Sequence, residues 1–336
     1  RIKIMGKVPV YQLKRGVFMY NQGELLLKAM TYDHPEEIPV SFGMLPAAWM
    51  KYGEDLVKLA KEYPDIITSI PDLNNIPIPD SYHVGSFTDE WGCRWENVEE
   101  GMESIVTGHP VPNREDILTL KIPENRDGRI PHGFMYLRLL DLRGFEEAMI
   151  DFAEECEELQ ILIDKVVEYN CRQIEAILPK AGKIVFFGDD LGMQKGLAIG
   201  PEKWRKYMKP AFTKLYSLVK ATGRYVYMHT DGMIYEIMPD LQECGVDMIN
   251  PQFRANGLDN LVRVCKGKIP INLDLDRQLF PFATPSQLDD HVREAVEAMY
   301  LPEGGLGLNI EIGMDVPLDN VAALLEAVRK YRGYKG

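Results

Sequence analysis

The sequence has no Cys-x-x-Cys pair, no Gly-x-Gly-x-x-Gly turn, no apolar run long enough to cross a bilayer, and fewer basic than acidic residues. Each absence excludes a class of function. The five cysteines (Cys93, Cys156, Cys171, Cys244 and Cys265) are odd in number and scattered. They therefore read as small apolar residues, not as a disulfide framework or a thiolate metal knuckle. Without the glycine turn after a strand, a dinucleotide-binding sheet has no signature here. The start Arg1–Met5 is not followed by a secretory apolar core, and no stretch of about 18 uncharged apolar residues appears, so a cytoplasmic protein without a membrane span is expected. The 51 acidic residues against 38 basic ones give a formal charge of −13, which repels phosphate backbones and anionic lipid. Nucleic acid and membrane are thus not expected partners.

Across the 336 residues, 46% are hydrophobic, ample for a large core. From about residue 130 onward, short Val/Ile/Phe/Tyr-rich runs alternate with amphipathic stretches of helical length, the pattern of repeated βα units. Expected strands are Gly133–Leu139, Lys183–Gly188, Arg224–His229, Val246–Asn250, Ile269–Asp274 and Leu306–Glu311. Expected helices are Phe145–Leu178 (one long helix or a pair), Pro201–Ala221, Met233–Glu243, Leu258–Cys265, Pro285–Tyr300 and Pro317–Tyr331. Upstream, strand Ile38–Met44 and helix Ala47–Tyr63 add a unit, and Ser86–Trp95 is expected to hold the remaining strand. Eight strands close a parallel barrel, so the expected fold is a (β/α)8 TIM barrel formed by one domain over residues 1–336. Residues 71–129, rich in Pro, Asn, Asp and Gly, read as an irregular insertion.

In such a barrel the chemistry sits at the C-terminal ends of the strands, and polar residues are dense there: Arg138, Asp189, Asp190, His229, Asp231, Asn250, Gln252, Asp274, Asp276 and Glu311. His229 and Asp231 are two apart, and if both belong to the strand they share one face of it. Such a pair is either a metal pair or an oriented acid/base, with Glu311 available as a third ligand across the mouth. The alternative has Asp231 capping the next helix and His229 donating to a backbone carbonyl. In Gly188-Asp189-Asp190 one carboxylate caps a turn and the other faces the pocket, in an order the sequence leaves open. Asp276 and Arg277 are either site residues or a loop ion pair. His34, His83, His109, His132 and His291 show no partner pattern and read as structural, and the 16 methionines read as core.

The motifs FTDEWGCRW (Phe87–Trp95), GHPV (Gly108–Val111), FGDDLGMQKGLAIGPEKWRKYMKP (Phe187–Pro210), MHTDG (Met228–Gly232), ECGVDMINPQ (Glu243–Gln252), LDRQ (Leu275–Gln278) and VPLDNV (Val316–Val321) occur in this order. Together they resemble the uroporphyrinogen decarboxylase superfamily over roughly residues 24 to 332. The resemblance implies a (β/α)8 barrel and one of two activities: porphyrin decarboxylation or corrinoid-linked methyl transfer. The decarboxylase's N-terminal Arg-Gln-Ala-Gly-Arg segment has no counterpart in DHPEEIPV (Asp33–Val40). An eightfold carboxylate substrate would then face a carboxylate-rich mouth.

The zinc methyltransferases of this superfamily bind metal through His-x-Cys and a later Cys, and the motif register sets His229, Asp231 and Glu311 at those positions. The resemblance therefore implies a zinc held by His229, Asp231 and Glu311, a more Lewis-acidic ion than one bound by thiolates. It further implies a small methoxy or methylamine donor and a corrinoid protein as partner. Asp190, His229 and Asp231 would be catalytic, with Arg138, Asp189, Tyr227, Gln252 and Asp276 contacting substrate. A metal-free decarboxylase of a small acid, with Asp190 or His229 handling the proton, and a non-catalytic binding barrel are the competing readings. A homodimer through the barrel helices is the expected assembly.

Overall fold

The structure, a computed structural model, describes residues 23–336; the expectation drawn from Arg1–Met5 lies outside the described residues. The strands are β1 (Val40–Met44), β2 (Gly85–Thr88), β3 (Arg94–Asn97), β4 (Ile105–Gly108), β5 (Ile184–Gly188), β6 (Tyr225–Thr230), β7 (Met248–Pro251), β8 (Ile271–Asp274) and β9 (Leu306–Ile312). Six of them form one parallel sheet in the order β1-β9-β8-β7-β6-β5. The first strand therefore lies beyond the last, as it does when sequential βα units curl into a barrel. β7, β8 and β9 are buried along their whole length, because helices cover one face and the barrel interior fills the other. This is a TIM-barrel-like α/β fold.

The expected eight-strand ladder is realised as six hydrogen-bonded strands among the described residues. Ahead of β5 in the chain, Gly133 donates its N–H to the Gly188 carbonyl at 2.8 Å and so borders the end strand of the sheet.

Three expectations are corrected. Gly133–Leu139 does not form a strand: helix Tyr136–Arg143 begins within it. A short apolar run fits strand and buried helix equally, and here the buried Asp189 carboxylate accepts the N–H groups of Met135, Tyr136 and Leu137, which selects the helix. Ser86–Trp95 does not supply a barrel strand, since β2 and β3 pair antiparallel and join β4 in a separate three-stranded sheet. The segment 71–129 is accordingly more regular than its composition suggests, and also contains helix Arg114–Thr119.

Elsewhere the periodicity is followed, except that the helix expected over Met233–Glu243 begins only at Met238. Phe145–Leu178 is a pair of helices, Phe145–Glu154 and Glu157–Ile177, broken where Glu155 takes a left-handed conformation. The expected helix Pro201–Ala221 contains a π-helical turn, Trp204–Met208. Pro210 has no N–H to return to the Lys206 carbonyl, and the ladder widens just ahead of it. All five cysteines are free, and three of them (Cys93, Cys244 and Cys265) are buried. No helix among the described residues is long and apolar enough to cross a membrane.

Candidate functional site

Parallel register builds the site as one rung across the barrel mouth. Gly188 on β5 is level with His229 on β6, which is level with Asn250 on β7. In-register residues of parallel strands point the same way, so Asn250 is beside His229 and accepts from its Nδ1–H at 2.7 Å. The Asn250 Nδ2 donates to the Asn272 carbonyl at 2.5 Å, which turns its oxygen toward the imidazole. A carbonyl oxygen can only accept, so Nδ1 carries a hydrogen, and Nε2 faces the mouth beside Asp231.

On the other side of His229 the rung has no side chain, and His132 fills the space. A Cβ on Gly188 would lie 2.6 Å from His132 Nδ1. The two imidazoles are 5.7 Å apart between centroids. His132 Nε2 lies 3.1 Å from Asp190 Oδ1, yet at an angle that makes no hydrogen bond, and this buried nitrogen has no hydrogen-bond partner. Two loops hold the carboxylates in place. Gly192 and Gly232 touch backbone to backbone, and a Cβ on Gly232 would fall 2.1 Å from Gly192. The Asp231 N–H donates to Asp190 Oδ1 at 3.1 Å.

Arg277 organises the rest of the mouth. Its guanidinium lies 3.0 Å from Asp231, 3.0 Å from Asp274 and 2.6 Å from Glu311, while Asp231 is also 3.2 Å from His229 Nε2. Burial pushes the Asp274 carboxyl up to about 6, and Arg277 pulls it down. The set His229, Asp231 and Glu311 implied for zinc does not fit a second cation as it stands, because a guanidinium already bridges its two carboxylates. Among the described residues, the three metal-ligating side chains whose donor atoms lie within 4.8 Å of one another are His132, Asp190 and His229.

The other expected site residues separate clearly. Asp190, not Asp189, faces the mouth: Asp189 is fully buried on the N-terminus of helix Tyr136–Arg143, where burial pushes its carboxyl up to about 7 against the pull of three N–H groups. Arg138 belongs to the fold and not to the mouth, since it pairs in the interior with Asp89 at 2.5 Å. Tyr227 is buried deeper in the barrel, where its hydroxyl accepts from Asn272 Nδ2 at 2.9 Å. Gln252 lines the cleft and accepts the Gly232 N–H, and Asn256 accepts that of Ile234. Asp231 is thereby relieved of the capping role weighed for it.

Asp276 and Arg277 do not pair with each other: Asp276 is held by Arg254 at 2.6 Å. His34, His83, His109 and His291 all have structural partners, the first three through Pro302, Glu100 and Asp141. His132 is the exception, and sequence reasoning passed over it; the one signal was Gly188 ahead of the paired aspartates.

A cleft of about 1040 Å3 opens over Arg277 and the carboxylates it bridges, large enough for a small organic ligand. Five carboxylates (Asp231, Asp274, Asp276, Glu311 and Asp315) line it against two guanidiniums, Arg254 and Arg277, with Phe253, Phe282 and Met314 as apolar wall.

A methyltransferase from Methanosarcina mazei has a similar fold, with a TM-score of 0.62 at 17% identity, covering 91% of this chain and 98% of that one. A dihydropteroate synthase from Xanthomonas albilineans, bound to 4-aminobenzoic acid, matches 49% of this chain and 60% of its own at 17% identity, with a TM-score of only 0.33. No curated protein matches the sequence. The sequence profile described as uroporphyrinogen decarboxylase (URO-D) matches residues 139–331, more than half of the chain and every strand of the parallel sheet except β1, and the chain belongs to that family.

Proposed function

We propose that this protein is a methyltransferase that moves a methyl group from a small neutral or cationic methylated compound, of the methoxy or methylamine class, to a corrinoid carried by a partner protein. The observation that carries the reading is the charge of the cleft. Five carboxylates against two guanidiniums favour a neutral or cationic donor and oppose a porphyrinogen bearing eight carboxylates. The fold shared with a methyltransferase supports the same branch of the family.

Phe253 and Phe282 give the methylated compound an apolar wall, and Arg254 with Asp276 closes its rim. Arg277 holds Asp231, Asp274 and Glu311 together and keeps their repulsion from opening the mouth. His229 with Asp190 and Asp231 would hold the proton or cation that the departing oxygen or nitrogen takes up with its electron pair. The reduced corrinoid would supply the nucleophile. Zinc at His229, Asp231 and Glu311 has no part in this scheme, because Arg277 stands between the two carboxylates.

The test is anaerobic incubation with chemically reduced cobalamin and a panel of methoxy compounds and methylamines, following loss of the Co(I) absorption band. Methyl transfer with one donor class, reduced at least about 100-fold in His229→Ala, is the expected result. Release of CO2 from a small carboxylic acid without any corrinoid would replace this reading with a decarboxylase. Tight ligand binding with no turnover would replace it with a binding barrel.

A further inference from the structure

We propose that His132, Asp190 and His229 bind one divalent transition-metal cation of the zinc class, at a position displaced from the His229–Asp231–Glu311 set that the sequence suggested. Three observations converge. The donor atoms of the three side chains lie within 4.8 Å of one another. Bonds of 2.0 to 2.1 Å to a tetrahedral zinc require donors about 3.4 Å apart, so the cluster would close by up to about 1.4 Å, with His132 and Asp190 already 3.1 Å apart. His132 Nε2 is buried, has no hydrogen-bond partner, and lies 3.1 Å from Asp190 Oδ1, while the side chain as a whole is only 8% exposed. A buried nitrogen left unpaired costs about 1 to 3 kcal/mol, and a cation accepting its electron pair removes that cost. The Asn250 oxygen holds a hydrogen of His229 on Nδ1, so Nε2 is the nitrogen left to ligate.

The neighbouring carboxylates explain the displacement. Asp231 and Glu311 are bridged by Arg277, whose positive charge repels a second cation between them. Asp190 is tied to the Asp231 backbone and lies 3.1 Å from His132 Nε2. Two neutral imidazoles and one carboxylate leave a divalent ion with one net positive charge and at least one open coordination position, the arrangement of catalytic rather than structural zinc. The role of such an ion as the electrophile for the leaving heteroatom rests on the proposed methyl transfer. The binding itself does not.

Chelator-treated full-length protein titrated with Co2+, followed by its visible d–d absorption and by displacement with Zn2+, tests the site without reference to turnover. One Co2+ per chain is expected. Affinity should fall about 100-fold or more in His132→Ala and about 10- to 100-fold in Asn250→Ala, and by less than about tenfold in Glu311→Gln, which removes a nearby negative charge but no ligand. If His132→Ala fails to fold, judged by circular dichroism, His132→Gln keeps the volume and removes the ligand. No Co2+ binding, binding that survives loss of His132, or binding that falls as far in Glu311→Gln as in His132→Ala would overturn the assignment. Stoichiometric binding without methyl transfer would leave this site standing and remove the proposed activity; methyl transfer by a protein that binds no Co2+ would do the reverse.

Discussion

Gly188 carries no side chain, and that vacancy is what brings His132 beside His229. Gly188→Ala would put a methyl group 2.6 Å from the His132 ring, and should destabilise the protein by about 1 to 3 kcal/mol through overpacking. Urea unfolding checks the energy, and Co2+ titration of the same variant checks whether His132 has moved. His291 offers a pH test. Its Nε2 accepts the Asp276 N–H, and burial lowers its pKa from the ordinary 6.5 to about 4. The folded state therefore binds this proton less readily than the unfolded chain. Its contribution is fully present above pH 6.5 and is lost progressively as pH falls toward 4, by at most roughly 3 kcal/mol. His291→Gln retains an acceptor for the Asp276 N–H and does not titrate, so its stability measured by urea unfolding should fall less over that interval than that of the wild type. Equal slopes would show that His291 is not the titrating group.

Helix Tyr136–Arg143 joins the inserted sheet to the barrel through two buried charges. Asp189 accepts three N–H groups at its start, and Arg138 reaches Asp89, which also accepts from Trp95 Nε1 and from the Trp91 and Cys93 N–H groups. Arg138→Met should cost about 3 to 5 kcal/mol, because it leaves the Asp89 carboxylate buried without its partner. The loss should show as a lowered Tm and as faster proteolysis within β2 to β4 than within β6 to β9. Uniform proteolysis would mean that the pair does not anchor the insertion. This element was also where the sequence was least legible. Phe134, Met135, Tyr136, Leu139 and Leu142 are all buried, so no exposed face marked a helical period, and the deciding hydrogen bonds come from a residue about 50 positions later. By contrast Leu258–Cys265 lies within the range its periodicity indicates, because one face meets the barrel and the other meets water.

Over the whole molecule, the acidic surplus of the sequence reappears at the cleft, where it sets what can enter. Tetramethylammonium measured by calorimetry is a probe of that field. Removing the bridging cation in Arg277→Gln should tighten its binding by roughly tenfold at low salt, and Glu311→Gln should weaken it, with both effects shrinking as ionic strength rises. Identical affinities in the two variants would show that the carboxylates do not select the ligand.

The order of the βα units from β5 to β9 and the polar groups at those strand ends were determined by the sequence alone, because hydrophobic period and strand-end position are local properties of the chain. Motif order added His229, Asp231 and Glu311 to one mouth. Tertiary structure decided which side chains meet there. Arg277 enters between Asp231 and Glu311, Asp189 turns away onto a helix, and His132 moves in beside His229. Those outcomes depend on register between separate strands and on space left by glycines. The same residue types at the same spacing fit either arrangement until the rungs are aligned.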